Sequence, residues 1–123
     1  MRNLLLTLTL ALLPLVAVLA LGDIRSHTSI KVGQQFVLGG QQRGAFWVKA
    51  RNSGPVPVSV AERRADGTLT ELGRLEPGQR IQLGFAAGSA ALVRNLGKRE
   101  AELDVVIIGD ASFRMGMGYE GLK

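Results

Sequence analysis

Short runs in which apolar and polar residues alternate are the feature that most constrains the fold of this chain. From residue 30 onward such runs follow one another, separated by Gly, Pro, Asn and Asp. Val56, Val58 and Val60 show the alternation most clearly. A period of two is typical of a β-strand with one buried face. No stretch after residue 22 has a helical period of any length, so the sequence predicts an all-β domain.

The predicted strands number about eight, and they cover residues 30–38, 46–51, 56–61, 69–75, 81–85, 91–95, 101–107 and a last run that contains Phe113, Met115 and Met117. Ala65-Asp66-Gly67 predicts a hairpin turn, because Gly accepts the positive φ that such turns require. Gly73 breaks the alternation of its strand and predicts a β-bulge. Pro57 predicts an edge strand or the start of a strand.

The first 22 residues differ from the rest. After Met1-Arg2-Asn3, the run from Leu4 to Leu21 carries no charge and contains one proline, Pro14. A charged start before an apolar run is typical of an export signal, and Ala20 and Gly22 are candidate cleavage positions with small side chains. The alternative is a membrane anchor, because 18 residues lie between the length of a signal core and the roughly 20 residues of a spanning helix.

Both alternatives place residues 23–123 outside the cytoplasm, in the periplasm or the extracellular space, and the membrane is a partner only if the leader is not cleaved. The predicted organisation is a signal peptide over 1–22, a flexible lead-in over 23–29 and one domain over 30–123. The chain has no cysteine. Neither a disulfide nor a lipid attached to cysteine can therefore contribute.

One part of the chain resembles the immunoglobulin-like modules of bacterial exported proteins. The resemblance covers roughly residues 44–86, where an alternating strand, an Asn-x-Gly turn, a second alternating strand and Leu75-Glu-Pro-Gly78 follow one another. It implies an antiparallel β-sandwich of seven to eight strands with a non-catalytic role in adhesion, scaffolding or partner binding. That family shares no catalytic or ligand-binding residue, so no site residue is transferred to this chain.

The charge distribution argues against binding of nucleic acid. The chain carries 15 Lys and Arg against 10 Asp and Glu, a formal net charge of +5. Acids and bases are interspersed, and the short basic pairs Arg63-Arg64 and Lys98-Arg99 fit solvated turns. A nucleic-acid-binding domain usually concentrates its cations in one stripe.

Catalytic and metal sites lack the residues they need. His27 is the one histidine, and with Met115 and Met117 it makes an incomplete copper site. Its place in the predicted lead-in also argues against a catalytic triad. Glu102 and Asp104 share one face of a predicted strand, where we expect pairing with Arg or Lys across the sheet. The sequence therefore predicts no enzyme, metal or cofactor.

Trp47, Lys49 and Arg51 share the face of their strand that is opposite to its apolar face. An indole beside two cations is able to stack on a sugar ring while the cations hold anionic groups. We expect instead that Trp47 is covered by a neighbouring strand or by the stems of Lys49 and Arg51. Two functions remain: a non-catalytic exported module that binds a protein partner or has a structural role in the envelope, and a binder of an anionic glycan or polymer.

Overall fold

The computed structural model describes residues 23–109 and 116–122, and all regular structure in these ranges is β-strand. The strands are β1 (Asp23–Ile30), β2 (Gln34–Gly39), β3 (Phe46–Asn52), β4 (Val58–Arg63), β5 (Leu69–Leu75), β6 (Arg80–Phe85), β7 (Ala90–Asn95), β8 (Ala101–Gly109) and β9 (Met117–Gly121). The all-β prediction is confirmed. The predicted leader, with its cleavage candidates Ala20 and Gly22, lies outside the described residues. Within these ranges no helix is long and apolar enough to span a bilayer.

Two antiparallel sheets form a sandwich. One has the strand order β1-β8-β3-β6 and the other β9-β2-β7-β4-β5. Strands pair in a nested way, first with eighth, second with seventh, third with sixth and fourth with fifth. This is the strand order of a jelly roll, here with β9 added beside β2. The immunoglobulin-like part of the prediction is not confirmed: in that fold the first two strands are neighbours in one sheet, whereas β1 and β2 lie in different sheets.

The prediction of a flexible lead-in over residues 23–29 is wrong. Residues 23–30 form β1, which pairs with β8 along its whole length. Ser26 and Thr28 occupy inward positions in place of apolar residues, which hid the alternation. The single strand predicted over 30–38 is also wrong, because a turn at Gly33 (φ 80°) separates β1 from β2.

The hairpin formed by β4 and β5 confirms two predictions. Its turn contains Gly67 with a φ of 91°, and the register shifts by one residue opposite Val60 and Ala61, which places a bulge beside Gly73. Pro57 immediately precedes β4, in agreement with a strand start. It marks no edge, because β4 lies between β5 and β7.

The core lies between the inner faces of the two sheets. Phe46 and Phe85 stack there with ring centroids 5.1 Å apart. The inward residues of β8, from Ala101 to Ile107, are almost completely buried. Burial of one face of each strand leaves the alternate side chains of the four-stranded sheet pointing to solvent. That outer face carries the candidate site.

Two buried asparagines stabilise two turns with the same pattern of hydrogen bonds. Asn52, fully buried at the end of β3, donates through Nδ2 to the carbonyls of Val56 and Leu75 (2.8 and 3.0 Å), and its Oδ1 accepts the N–H of Gly54. Asn95, at the end of β7, makes the same three kinds of bond. The repeated sequence Arg-Asn-x-Gly is therefore one turn chemistry used twice.

Candidate anion-binding face

The outer surface of the four-stranded sheet is the candidate site, and we call it the basic face. It is defined by Arg25 on β1, Trp47, Lys49 and Arg51 on β3, and Arg80 on β6. The alternation of β3 decides the orientation: Phe46, Val48 and Ala50 are buried, so the residues between them point outward. The sequence therefore predicted correctly that Trp47, Lys49 and Arg51 share one exposed face.

Strand register brings the cations together. Arg51 lies opposite Arg80 on one side and opposite Asp104 on the other. Lys49 lies between Gln82 and Val106 in the same way. Directly opposed residues are about 5 Å apart and alternate residues on one strand about 7 Å. Cations on β3 and β6 thus form a compact group that the sequence alone does not reveal, because Arg80 is about thirty positions away from it.

A shallow open groove of about 730 Å³ runs across this face. Its lining includes Arg25, His27, Lys49, Arg51, Arg80 and Asp104, with part of Val106 as an apolar floor. Lys49 and Arg80 form no ion pair with any residue of the described ranges. Arg51 is 3.7 Å from Asp104, and both side chains are about half exposed. Among the described lining residues, Asp104 is the one carboxylate beside Lys49, Arg51 and Arg80, so these side chains leave the groove positively charged.

His27 lies at one end of the groove and is held by two carboxylates of β8. Its Nδ1 is 2.6 Å from an oxygen of Asp104, and its Nε2 is 2.7 Å from an oxygen of Glu102. Ser29 donates a further hydrogen bond to the same Glu102 oxygen. A histidine can donate from both nitrogens only when it is protonated. The hydrogen bond to Asp104, followed by the one to Glu102, raises the pKa of His27 above its usual 6.5.

Sequence reasoning missed the place of His27, because it assigned residues 23–29 to a flexible lead-in. A signal was present: Ile24 and Ile30 have the same parity, as the inward residues of one strand must. The expectation that Glu102 and Asp104 meet Arg or Lys across the sheet is confirmed for Asp104 alone. Asp104 reaches both His27 and Arg51, whereas Glu102 reaches His27.

Trp47 is 52% exposed, so the expectation that neighbouring groups cover it is wrong in part. One side of the indole lies over Gly84 of β6, where a Cβ atom would stand 3.0 Å from the ring. Because Gly84 has no side chain, one side of the indole packs directly against its backbone. The other side of the indole is exposed to solvent. Trp47 lies on the basic face beyond the groove lining, two residues along β3 from Lys49.

The contacts of His27 do not suit it to act as a catalytic base. Both ring nitrogens of His27 are occupied by carboxylates, so neither is available to take a proton from a nucleophile. Among the described residues, no cluster of three or more His, Asp or Glu side chains is arranged to hold a metal ion. Met115 lies outside the described residues, and Met117 begins β9, which belongs to the other sheet.

No protein-family model matches this chain, and no curated protein matches it in sequence. Among solved structures, the mitogen derived from Yersinia pseudotuberculosis is similar over 70% of this chain and 84% of its own, with 8% identity and a TM-score of 0.45. Peruvianin-I, a cysteine peptidase from Thevetia peruviana latex, is similar over 84% of this chain with 18% identity and a TM-score of 0.52. This chain spans 58% of that peptidase chain. At such identity the similarity concerns the fold alone.

Proposed function

We propose that this protein is a non-catalytic binding domain that holds an anionic glycan or polymer on its basic face. The observation that carries the proposal is the open groove in which Lys49 and Arg80 point to solvent without an ion pair in the described structure. Unpaired cations on a rigid sheet are already positioned for an anionic ligand, so binding requires little ordering of the protein.

The shape of the groove favours a chain-like ligand. It is open along its length, no described residue forms a lid over it, and its described lining residues lie on strands. An extended polymer is able to cross such a surface and place successive anionic groups near Lys49, Arg51 and Arg80. Trp47, just beyond the groove, offers an open aromatic side on which a sugar ring stacks.

Export is part of the proposal. If Leu4 to Leu21 direct the chain out of the cytoplasm, its ligands are acidic polysaccharides of the envelope or of the extracellular space. Nucleic acid is disfavoured, because Glu102 and Asp104 lie on the same face and one aromatic residue makes no stacking platform. The proposal includes no cofactor and no reaction.

The test is retention on immobilised heparin, a sulfated polysaccharide, compared with neutral dextran. We expect retention at low salt that disappears as salt screens the surface charges. The double variant Lys49→Gln/Arg80→Gln is expected to weaken binding by about 2 kcal/mol, roughly thirtyfold, at about 1 kcal/mol for each exposed charge contact. Trp47→Ala should weaken binding too, and the single tryptophan provides a fluorescence signal for the titration.

A charge-matched control separates this site from general attraction to a basic protein. Arg43→Gln/Lys98→Gln removes two exposed cations that do not line the groove. Equal losses for the two double variants, or no retention at low salt, would contradict the proposal.

A second candidate function is binding of a protein partner along β9. This strand lies at the edge of the five-stranded sheet, and its Met117 and Tyr119 are 44% and 50% exposed. Exposed strand edges with apolar side chains are suited to strand addition by a partner. Tyr119→Lys should then abolish capture of the partner from an envelope extract without changing retention on heparin. Unchanged capture by this variant would reject this candidate.

A further inference from the structure

At the acidic end of the groove, one carboxylate contacts two basic side chains. Asp104 stands between His27 and Arg51: its Oδ1 is 2.6 Å from Nδ1 of His27, and its Oδ2 is 3.7 Å from Nη1 of Arg51. The shorter contact shows that His27 holds Asp104 more closely than Arg51 does. The carboxylate of Asp104 is therefore shared between His27 and Arg51, and its closer contact is with His27.

We propose that His27 makes anion binding on the basic face dependent on pH, because its protonated ring adds a positive charge to the groove and shares the Asp104 carboxylate with Arg51. The inference rests on the proposed function and adds its regulation. When His27 loses its proton, the groove loses one positive charge, and the neutral ring keeps a single N–H for its two carboxylate partners. The charge of Asp104 is then balanced less by His27 and more by Arg51, so the carboxylate competes more strongly with an anionic ligand for the guanidinium group.

The surroundings of His27 support this assignment. Glu102 and Asp104 face the ring from β8, and Arg25 lies two residues away on its own strand, about 7 Å distant. Arg51 and Arg80 are the next charges across the sheet, on β3 and β6. On the other side of the core, β2 carries no charged residue. The two carboxylates are the nearest groups, and they favour the charged ring.

Thermodynamic linkage gives the direction in which the affinity changes with pH. A ligand that binds better when His27 is protonated must also raise the pKa of His27, since the two equilibria are coupled. The pKa of His27 in the free protein already lies above 6.5, because its ring nitrogens bond to Asp104 and Glu102. Affinity for a polyanion is therefore higher when the pH is below this pKa and falls as the pH rises through it.

The size of the pH effect on affinity is that of one charge, on His27, acting on a ligand at the distance of a neighbouring side chain. We expect an affinity ratio between the protonated and neutral forms of roughly threefold to tenfold. A tenfold ratio corresponds to one unit of pKa, so saturating ligand should raise the pKa of His27 by about 0.5 to 1 unit. The measured affinity ratio and the measured shift in the pKa of His27 must therefore agree with each other.

The test uses the full chain in a non-ionic detergent, with a heparin hexasaccharide as the probe. The sulfates of this probe stay ionised throughout the pH range, so the ligand contributes no titration of its own. The chain has one histidine, whose ring protons give a single titrating NMR signal. We would measure its pKa with and without hexasaccharide, and the dissociation constant by Trp47 fluorescence from pH 5.5 to 8.5.

Two variants complete the test. His27→Asn should make the affinity independent of pH over this range, which also removes the α-amino group as an explanation. Asp104→Asn should lower the pKa of His27, which a loss of stability alone would not do. Binding with an unchanged pKa of His27, or with the same pH profile in His27→Asn, overturns this inference and leaves the proposed function standing. Absence of binding at every pH overturns both.

Discussion

Replacement of Asn52 by alanine is expected to lower the free energy of unfolding by about 3 kcal/mol, because three hydrogen bonds at a buried turn are lost. Asn52 is fully buried, so water does not replace its amide. The carbonyls of Val56 and Leu75 lose a donor, and the N–H of Gly54 loses its acceptor. Each such loss costs roughly 1 kcal/mol or more inside a protein.

The assay is thermal and urea unfolding followed by circular dichroism. For a domain of about 100 residues, 3 kcal/mol corresponds to a decrease in Tm of roughly 12 to 24 °C. Asn95→Ala should give a similar loss, because Asn95 makes the equivalent bonds at the end of β7.

Gln79→Ala is the matched control. Its amide oxygen accepts one hydrogen bond, from the N–H of Glu76, at an exposed turn, and its removal should cost less than about 1 kcal/mol. If Asn52→Ala costs no more than Gln79→Ala, the buried amides do not hold the turns together and the reasoning is wrong.

Two further predictions concern stability. Gly97→Ala places a Cβ within the side chain of Val56 and should cost about 1 to 3 kcal/mol; a double-mutant cycle with Val56→Ala should show that the costs are not additive. Glu120→Gln should reduce stability at pH 7 by less than about 1 kcal/mol, because its partner Arg63 is partly exposed. The hydrogen bond from Arg63 holds the pKa of Glu120 below its usual 4.5. The difference between this variant and the parent, followed by urea unfolding, should therefore shrink as the pH falls below 4.5 and vanish in stronger acid.

Local sequence patterns predicted several features of the fold and the site. The alternation of β3 was sufficient to place Trp47, Lys49 and Arg51 on one outer face, because side chains of a strand must alternate. The Asp66-Gly67 turn and the bulge at Gly73 were likewise readable, since each depends on a few adjacent residues.

Other features depend on contacts between distant segments. Residues 23–29 were assigned to a lead-in because Ser26 and Thr28 take inward positions, which only the pairing of β1 with β8 reveals. The cation Arg80 reaches the basic face from β6, and the two carboxylates that hold His27 reach it from β8. Exposure of Trp47 depends on Gly84, which lies on the neighbouring strand.

The sequence by itself determined that this chain forms strands, which face of most strands is buried and where several turns lie. Those properties follow from periods of two and from the backbone preferences of Gly, Pro and Asn. Only the tertiary structure decided which strands are neighbours, and hence the jelly-roll order rather than the immunoglobulin order. Alternation is the same whatever strand lies alongside, so the choice depends on packing between residues far apart in the chain. For the same reason, the contacts of His27 with Glu102 and Asp104 depend on the pairing of distant strands, and no local sequence pattern predicts them.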